Sequence, residues 1–424
     1  MSSKLLAPPK NDKMRRRAHT ARIYPTPEQA ATLDRQGHTA RALWNLLHEW
    51  YTWRGAGGSI AKRPSYSEMD RQLRDARTNP IPGYEWLVLL PAKATQRVLM
   101  CYLCAWDRLF QGLARSPKFK RRSARLAVDN PQAADLRVVR LNRRWGEVTV
   151  IMVGRVRFRW TRPLPGVTRG CPGRITGARL VKDALGWHIS FRIEEPRGDA
   201  APNPGPAVGV DRGVVHTMTL SDGQHLDMPD LLTRGEQRRL RKLELDAARR
   251  RTRRQRHPGM RMSKRERSTY QQIAKLRARQ ARRREDWLHK QTTDLAKNHG
   301  MVVVEDLRIH NMTRSARGTV DQPGRNVRVK AGLARSILGM AWGTAGRMLA
   351  YKCPDHGGVL VKVDPRNSSI ECAECGHTDK ENRVDQARFR CKQCGHVANA
   401  DVNAARVLLA RGLGLAGHSD TAPG

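Results

Sequence analysis

The sequence predicts a multidomain α+β protein, and three observations support this fold class. Apolar residues recur at helical spacing over residues 26–115, and short segments of alternating polarity occupy residues 138–194. A Pro/Gly-rich linker, residues 200–206, then precedes a module in which strands and helices are mixed. The chain has 424 residues and is 39% hydrophobic, so at about 100 to 200 residues per domain it accommodates two to four domains with cores of their own.

The helical unit begins with a well-defined start signal. Thr26 suits the N-cap, Pro27 suits the first helical position, and Gln29 completes a capping box with Thr26. The apolar periodicity that follows is interrupted by the glycines of residues 55–58 and then resumes. We therefore predict a helical domain over residues 26–115.

Strands are predicted on both sides of this helical unit. Residues 20–24 are typical of a short strand that Pro25 ends, and the alternating segments after residue 118 are separated by turns such as those at Gly154 and Gly186. This spacing indicates an all-β barrel or sandwich.

The module after the linker contains short apolar segments that predict buried strands. They span Ala207–Val210, Met301–Val304 and Val359–Val363, and the first continues into two antiparallel segments. One helix is predicted over Ala331–Tyr351 and another from about Asn399 to Gly412. This module therefore differs from the two units before the linker.

The charge balance predicts a polyanionic partner. Lys and Arg number 80 against 39 Asp and Glu, a net charge of +41. Residues 234–284 hold 21 basic residues and 4 acids in two predicted helices, and residues 262–298 as one helix would extend roughly 55 Å at 1.5 Å per residue. Acids are too few for i,i+4 pairing along a solvated helix face, so nucleic-acid contact is the stronger interpretation. Because aromatic residues make up only 5% of the chain, backbone tracking by Arg fits better than base stacking.

An anionic membrane surface is the competing explanation of the charge. It usually requires an amphipathic anchor or a juxtamembrane basic cluster, and the sequence has neither. No apolar run approaches the roughly 18 residues that span a bilayer, and Met1–Arg17 is polar and basic without a hydrophobic signal segment. We therefore expect a cytoplasmic protein without a membrane partner.

Four of the eight cysteines form the most specific motif in the chain. Two C-x2-C pairs are separated by fifteen residues, a spacing typical of a zinc ribbon in a reducing compartment. The predicted ligands of one structural Zn²⁺ are Cys372, Cys375, Cys391 and Cys394. A closed shell of four thiolates leaves no position for a reacting water, and we expect His377 and His396 to be surface residues rather than ligands.

A second C-x2-C pair, Cys101 and Cys104, lies in a helical apolar run, Val98–Phe110. Residues at i and i+3 share a helix face, and unligated Cys is among the most buried residue types. We therefore expect these two cysteines to pack in a core. The remaining two, Cys171 and Cys353, match no ligand pattern.

Three carboxylates stand at the ends of predicted elements. Asp211 follows the first strand of the last module, Glu305 follows its second buried strand, and Asp401 lies in the first turn of the final helix. Each alone is compatible with a turn or capping role. Together they can hold two Mg²⁺ about 4 Å apart, the arrangement that activates water in phosphodiester hydrolysis.

The order of these motifs resembles the TnpB family of transposon-encoded RNA-guided DNA nucleases and, equally, the related small type V CRISPR effectors. The resemblance covers nearly the whole chain. It rests on five segments that match the family's motifs in order. They are Arg22–Gln29 at the start of the helical domain, Val208-Gly-Val-Asp211-Arg-Gly-Val, Val302-Val-Val-Glu305-Asp-Leu, Asp364–Cys372, and Asn399-Ala-Asp401-Val-Asn-Ala-Ala405. Arg212 after Asp211 and Asn399 before Ala400 depart slightly from the family's pattern, but neither departure removes a ligand.

The resemblance implies a RuvC-type nuclease domain of RNase H fold with a zinc ribbon insertion, preceded by a wedge-like β-barrel with an inserted helical recognition domain. On this basis the domains are expected at 1–25 and 116–199 (wedge-like barrel), 26–115 (recognition), 200–206 (linker), 207–365 and 397–412 (RuvC-like), 366–396 (zinc ribbon) and 413–424 (C-terminal tail).

The resemblance also implies the activity. Such a protein binds a guide RNA, recognises a short motif beside the target in double-stranded DNA, displaces a single strand, and cuts by two-metal hydrolysis with Asp211, Glu305 and Asp401 as the acids. It implies a prokaryotic protein that is associated with the nucleoid when bound to DNA. The residues that contact the adjacent motif cannot be assigned from the sequence.

Two other function classes stay open at this point. An RNA-independent DNA transposase or junction resolvase also uses three acids on an RNase H fold. A guide-directed DNA binder without cleavage would use the same acids only structurally.

Overall fold

The computed structural model describes residues 14–56, 63–198, 200–257, 259–319 and 321–419. These residues form two compact units, one ending at Arg197 and one beginning at Gly198. Each unit has its own sheet and its own apolar core. Most of the polar leader, part of the glycine-rich break and the last five residues lie outside the described residues.

The first unit contains a seven-stranded antiparallel sheet. Its strands are β1 (Met14–Tyr24), β2 (Ala127–Asn130), β3 (Val138–Arg140), β4 (Trp145–Val150), β5 (Gly154–Arg159), β6 (Arg174–Asp183) and β7 (Gly186–Pro196). They are ordered β2-β6-β7-β1-β5-β4-β3. Strand β1 is therefore central, although the sequence indicated only its last five residues as a strand.

These strands form the all-β unit that the sequence predicts, while closure into a barrel stays a prediction, since the end strands β2 and β3 do not pair with each other among the described residues. Strand β1 pairs with β7 along Met14–Arg22 and with β5 only at Ile23 and Tyr24. One long strand is thus shared by two halves of the sheet.

Three helices lie between β1 and β2 in the chain: α1 (Pro27–Ala56), α2 (Tyr66–Thr78) and α3 (Ala92–Phe110). The predicted capping box is confirmed, since the Gln29 backbone N–H donates to Thr26 Oγ1 (3.3 Å) and the Thr26 N–H donates to Gln29 Oε1 (3.0 Å). The helices and the sheet share one core, in which Leu33, Leu99 and Phe158 are fully buried.

The prediction for Cys101 and Cys104 is wrong, because both are exposed. They do share a face of α3, but the buried face is the opposite one, occupied by Leu99, Tyr102 and Trp106. Two aromatic side chains bury more apolar surface than two thiols, so they determine which way the helix faces.

The second unit is built on a five-stranded mixed sheet. Its strands are β8 (Ala207–Asp211), β9 (Met218–Leu220), β10 (His225–Leu226), β11 (Met301–Glu305) and β12 (Val359–Val363). The order is β10-β9-β8-β11-β12, with β8, β11 and β12 parallel and β9 and β10 antiparallel. This order places the first two carboxylate-bearing strands side by side at the centre.

Six helices are described in this unit: α4 (Arg234–Arg256), α5 (Lys264–Asn298), α6 (Ile309–Met312), α7 (Val327–Met340), α8 (Trp342–Asp355) and α9 (Ala400–Ser419). The single helix predicted over residues 331–351 is two helices, because Ala341 adopts a left-handed conformation (φ 56°) that ends α7 and starts α8. Helix α9 continues to Ser419, past the predicted end at Gly412 and into the expected tail.

Helices α4 and α5 form a hairpin held by ion pairs between the two helices. Glu236 accepts from Arg279 and Arg283, and Glu244 accepts from Arg277. The acids that form these pairs therefore bind across the hairpin rather than along one helix, and within residues 234–257 and 259–298 arginines greatly outnumber them.

A small ribbon precedes α9. Strands β13 (Arg388–Arg390) and β14 (Val397–Asn399) pair antiparallel, and Phe389 packs with Cys372, Cys391 and Ala400 in a separate small core. Among the helices of the described ranges, none has both the length and the apolar content that crossing a membrane requires.

Helix α9 approaches β8 so closely that only glycine fits at one position. A Cβ on Gly209 would overlap the Ala405 carbonyl oxygen and come within 2.9 Å of the Leu409 Cβ. Because backbone atoms are involved, no side-chain rotation relieves the overlap. Gly209 therefore sets the distance between the helix that carries Asp401 and the strand that carries Asp211.

We expect Gly209→Ala to reduce the free energy of unfolding by about 1–3 kcal/mol, the usual cost of overpacking, because α9 must shift. Urea unfolding measures this effect. The control is Gly332→Ala on α7, where an added Cβ contacts nothing within 4 Å. Equal behaviour of the two variants would contradict this account of the packing.

Candidate active site and metal centre

Two neighbouring parallel strands bring Asp211 and Glu305 to the same edge of the sheet. Strands β8 and β11 are paired with Val210 opposite Val304, so the next residue of each strand is one of these acids. Both strands are buried apolar segments, which fixes the position of the polar residue that ends each of them. The sequence-predicted pair is thus brought together by register alone.

Asp401 reaches this edge from the first turn of α9. The Asn399 side chain accepts hydrogen bonds from the backbone N–H groups of Asp401 (3.0 Å) and Val402 (3.2 Å). This is the arrangement of an N-cap, which fixes where the helix begins. The departure from the family pattern at Asn399 therefore has a structural role, since it holds Asp401 in place.

Burial and nearby negative charge make Asp211 costly to ionise. The pKa of Asp211 is raised to about 7, first by desolvation and then by the negative charges of Glu305 and Asp401. Desolvation also raises the pKa of Glu305, which is only 8% exposed. Because a bound cation offsets this negative charge, the cluster favours cation binding.

Two arginines offset part of this negative charge. Arg212 is buried, donates to the Glu305 backbone carbonyl, and its positive charge lowers the pKa values of Asp211 and Glu305. Arg383 donates to Asp401 Oδ1 (3.1 Å) and likewise lowers the pKa of Asp211. The site is therefore a mixed cluster of three acids and two guanidinium groups.

The three carboxylates form a looser group than the four cysteines. Among the described residues, the cysteine cluster alone brings three or more ligand atoms of Cys, His, Asp or Glu within 4.8 Å of one another.

The four predicted cysteines do converge on one point. The sulfur atoms of Cys372, Cys375, Cys391 and Cys394 all lie within 4.8 Å of one another. Two of the sulfur–sulfur distances are 3.5 and 3.7 Å, close to the edge of about 3.8 Å for a tetrahedron with Zn–S bonds of 2.3 Å. The donor set therefore fits a tetrahedral zinc ion with no open position.

One thiol of the cluster favours its thiolate form. The backbone N–H of Cys394 points to the Cys391 sulfur (3.5 Å) and lowers the pKa of that thiol, to about 6, whereas the pKa values of the other three thiols are raised. His377 and His396, expected at the surface, are half-buried and lie outside the sulfur cluster, and their backbone carbonyls accept hydrogen bonds from the backbone N–H groups of Cys372 and Cys391.

The ribbon and the carboxylate cluster are physically connected. The fully buried Asn403 of α9 accepts from the Ala373 backbone N–H (3.0 Å) and donates to the Glu371 carbonyl (2.7 Å), beside the first knuckle. Arg383, which pairs with Asp401, lies between the two knuckles. The cysteine cluster thus positions a guanidinium group and the helix that carries the third acid.

Three family models match parts of the chain. OrfB_IS605, described as "Probable transposase", matches residues 188–316, and the Cas12f1-like TNB domain matches residues 342–408. A helix-turn-helix model matches residues 14–58, but in the structure these residues form β1 and the single helix α1.

Relatives with known names extend the match over most of the chain. InsQ of Escherichia coli (strain K12), whose name describes an RNA-guided DNA endonuclease, is 37% identical over 77% of this chain and 76% of its own. The chain belongs to the OrfB_IS605/TnpB family. A Streptomyces pristinaespiralis protein named for the same activity is 30% identical over 94% of this chain and 90% of its own.

A solved structure has the same fold as this TnpB-family chain. The Cas12f1 chain in a complex with sgRNA and target DNA superposes with a TM-score of 0.51 at 14% identity, over 90% of this chain and 83% of that one. The multidomain α+β fold with a four-cysteine cluster is therefore that of a compact Cas12 nuclease.

Sequence reasoning located the acids and the cysteines but missed the arginines. From the sequence, Arg212 is only a departure from the family's pattern. Its position directly after Asp211, the acid that ends a buried strand, is nevertheless a signal for a charge partner of that acid. Arg383 lies in a polar stretch with no recognisable pattern, and only the folded ribbon brings it to Asp401.

We expect the purified chain to contain one zinc ion and Cys375→Ala to contain less than half of that amount, as measured by elemental mass spectrometry. Because Arg383 and α9 are tied to the ribbon, the variant should also lose cleavage activity. Cys171→Ala, at a half-buried cysteine outside the cluster, is the control. Full zinc content in the Cys375 variant would exclude this cluster as the zinc site.

Proposed function

We propose that this chain is an RNA-guided DNA endonuclease that hydrolyses phosphodiester bonds at the cluster of Asp211, Glu305 and Asp401. The observation that carries the proposal is the convergence of these three acids from two parallel strands and one helix, on a fold of the TnpB family. The relatives' names and the Cas12f1 complex with sgRNA and target DNA support guidance by RNA.

The residues of the cluster fit two Mg²⁺ ions. Carboxylate oxygens are the ligands that Mg²⁺ prefers, and the pKa of Asp211 is raised by desolvation and then by the negative charges of Glu305 and Asp401, which bound cations would offset. When bound, two such ions would lower the pKa of an attacking water and stabilise the leaving oxygen. The three acids would hold these ions, and the four cysteines would hold a structural zinc.

The two arginines have different roles in this proposal. Arg212 is buried and fixed on a backbone carbonyl, so it stabilises the strand ends. Arg383 bonds to an acid oxygen that would bind a cation, so it must turn away from Asp401 or share it when cations bind. Once released, its guanidinium group can bind a phosphate of the DNA being cut.

The net charge of +41 supports a large nucleic-acid partner. Guide RNA supplies phosphates that offset this charge, and target DNA with a displaced single strand supplies the rest. The α4–α5 hairpin, with α5 about 50 Å long at 1.5 Å per residue, offers one basic surface along which a backbone can lie. A protein with these partners acts in the cytoplasm at the nucleoid.

We expect Asp211→Ala, Glu305→Ala and Asp401→Ala each to lower the cleavage rate by at least about a thousandfold while RNA and DNA affinities stay within about twofold, because the acids act on the bond that is cut. Gel-shift and cleavage assays on the same preparations separate the two readouts. Asp306→Ala, at the exposed acid next to Glu305, is the matched control.

The outcomes also distinguish the other function classes. Cleavage that survives all three substitutions would remove the cluster from the chemistry and favour a guide-directed binder with a contaminating nuclease. Cleavage that requires the acids but no RNA would favour an RNA-independent transposase or resolvase.

We expect the affinity of the chain for Mg²⁺ to rise as the pH increases from 6 to 8. Asp211 has a pKa of about 7 in the folded chain, so below that pH a proton must leave before the carboxylate binds a cation. The same shift has a stability consequence with a defined sign. A folded pKa above the unfolded value of 3.8 means that the metal-ion-free chain loses stability as the pH rises from about 4 to 7.

Isothermal titration of Mg²⁺ at pH 6, 7 and 8 in two buffers of different ionisation enthalpy measures both affinity and proton release. Asp211→Asn should abolish most of the pH dependence. An affinity that is constant across this range would contradict the assignment of the raised pKa to the cation site.

A further inference from the structure

A basic pocket lies in the first unit. It has a volume of about 240 Å³ and lies between α1, α3 and the segment that enters β2. Five cationic side chains line it: Arg41, Arg97, Lys120, Arg125 and Arg179. The pocket is therefore a concentration of positive charge built from four separate parts of the chain.

These cations have no acidic partners, unlike other arginines of the same unit. Arg15 and Arg174 form ion pairs with glutamates, whereas no ion pair is found for any of the five pocket cations within the described part of the chain. The only carboxylate that lines the pocket, Asp129, already accepts from Arg192 (2.7 Å). A bound anion would therefore neutralise positive charge that the described residues of the pocket do not.

Hydrogen bonds also fix two of the residues that line the pocket, Trp44 and Lys120. Asn45 exchanges two hydrogen bonds with the Lys120 backbone, and the Trp44 indole N–H donates to the Lys118 carbonyl (3.1 Å). These bonds place the Lys120 ammonium group over the Trp44 ring, 3.7 Å from its centroid. Because these side chains are already held in place, they lose little conformational entropy when an anion binds.

Two further details favour a bound anion. The Arg97 Nε atom is buried and has no hydrogen-bond partner among the described residues. The pKa of Lys120 is lowered to about 8, by desolvation and then by the positive charge of Arg179, although the residue keeps solvent contact at the pocket mouth. A bound anion relieves both costs.

We propose that this pocket binds a backbone phosphate of the bound nucleic acid. The pocket is smaller than the roughly 300 Å³ typical of a pocket for a whole small-molecule ligand, and five cations line it. Such a site fixes the register of the strand without selecting a base. This inference rests on the proposed function for the presence of the nucleic acid.

Both RNA and DNA carry the phosphodiester, and the chain itself offers a probe that separates them. Cys101 lines the pocket and is exposed, while Cys104 is exposed one turn further along α3 and does not line it. The rates of N-ethylmaleimide labelling of the two thiols are compared by peptide mass spectrometry. Three samples are used: the RNA-stripped chain, the chain with its co-purified RNA, and that complex with a DNA duplex added.

We expect labelling of Cys101 to slow at least about fivefold relative to Cys104 when the phosphate source binds. Slowing with RNA alone assigns the phosphate to the RNA, and slowing only after the duplex is added assigns it to the DNA. Equal rates for Cys101 and Cys104 in all three samples would overturn the proposal.

A second measurement tests the charge directly. Arg97→Gln combined with Lys120→Gln should reduce the slope of log affinity against log salt by about 0.7 per phosphate contact for single-stranded RNA, or about 0.9 for duplex DNA. The matched control combines Arg108→Gln on α3 with Lys118→Gln. Equal slopes in the two double variants would exclude a phosphate contact in the pocket.

Failure of this inference is distinguishable from failure of the proposed function. A chain that cuts DNA with its RNA while Cys101 stays fully reactive contradicts only the pocket. A chain that binds no specific RNA and cuts nothing contradicts the proposed function, whatever the labelling shows.

Discussion

The burial of Asp211 beside two further carboxylates is the constraint on which the rest of the second unit depends. Desolvation, and then the negative charges of Glu305 and Asp401, raise the pKa of Asp211 to about 7, which shows how unfavourable its ionised form is in this arrangement. The fold maintains it through features that do not titrate: the register of β8 against β11, the close approach of α9 at Gly209, and the N-cap at Asn399. Each of these is local and rigid, so the acids cannot relax away from one another.

The ribbon contributes to the same constraint from outside the sheet. Arg383 places a positive charge on Asp401, and Asn403 fastens α9 to the chain beside the first knuckle. A zinc ion in the cysteine cluster would therefore stabilise more than the ribbon, since the geometry of the third acid is tied to it. This connection explains why a structural metal site and a hydrolytic site occur next to each other in the sequence.

The sequence predicted the parts of the site whose position follows from local pattern. An acid at the end of a buried apolar strand is placed by the strand, and Cys372 to Cys394 have a spacing that admits few alternatives. The parts that depend on tertiary contacts were not accessible. Arg383 has no neighbouring pattern, and the left-handed Ala341 divides a continuous helical periodicity.

The errors in the first unit have the same origin. Periodicity showed that Cys101 and Cys104 share a face of α3 but could not show which face is buried, and the burial of the aromatic residues decided it. Alternation predicted the strands but not the order in which they pair, so the central position of β1, shared by two halves of the sheet, was not accessible. One of these exposed cysteines, Cys101, lines the basic pocket, where its labelling rate can be measured.

The central claim is that RNA held by this chain directs the carboxylate cluster to a DNA bond. Retargeting tests it most directly: the chain is expressed with its native flanking DNA, the co-purified RNA is sequenced, and its variable segment is then replaced. The account predicts one discrete RNA with a constant part and a variable end, and a cut that moves to the DNA matching the new variable end. A random sample of cellular RNA, or a cut that stays in place, would contradict it.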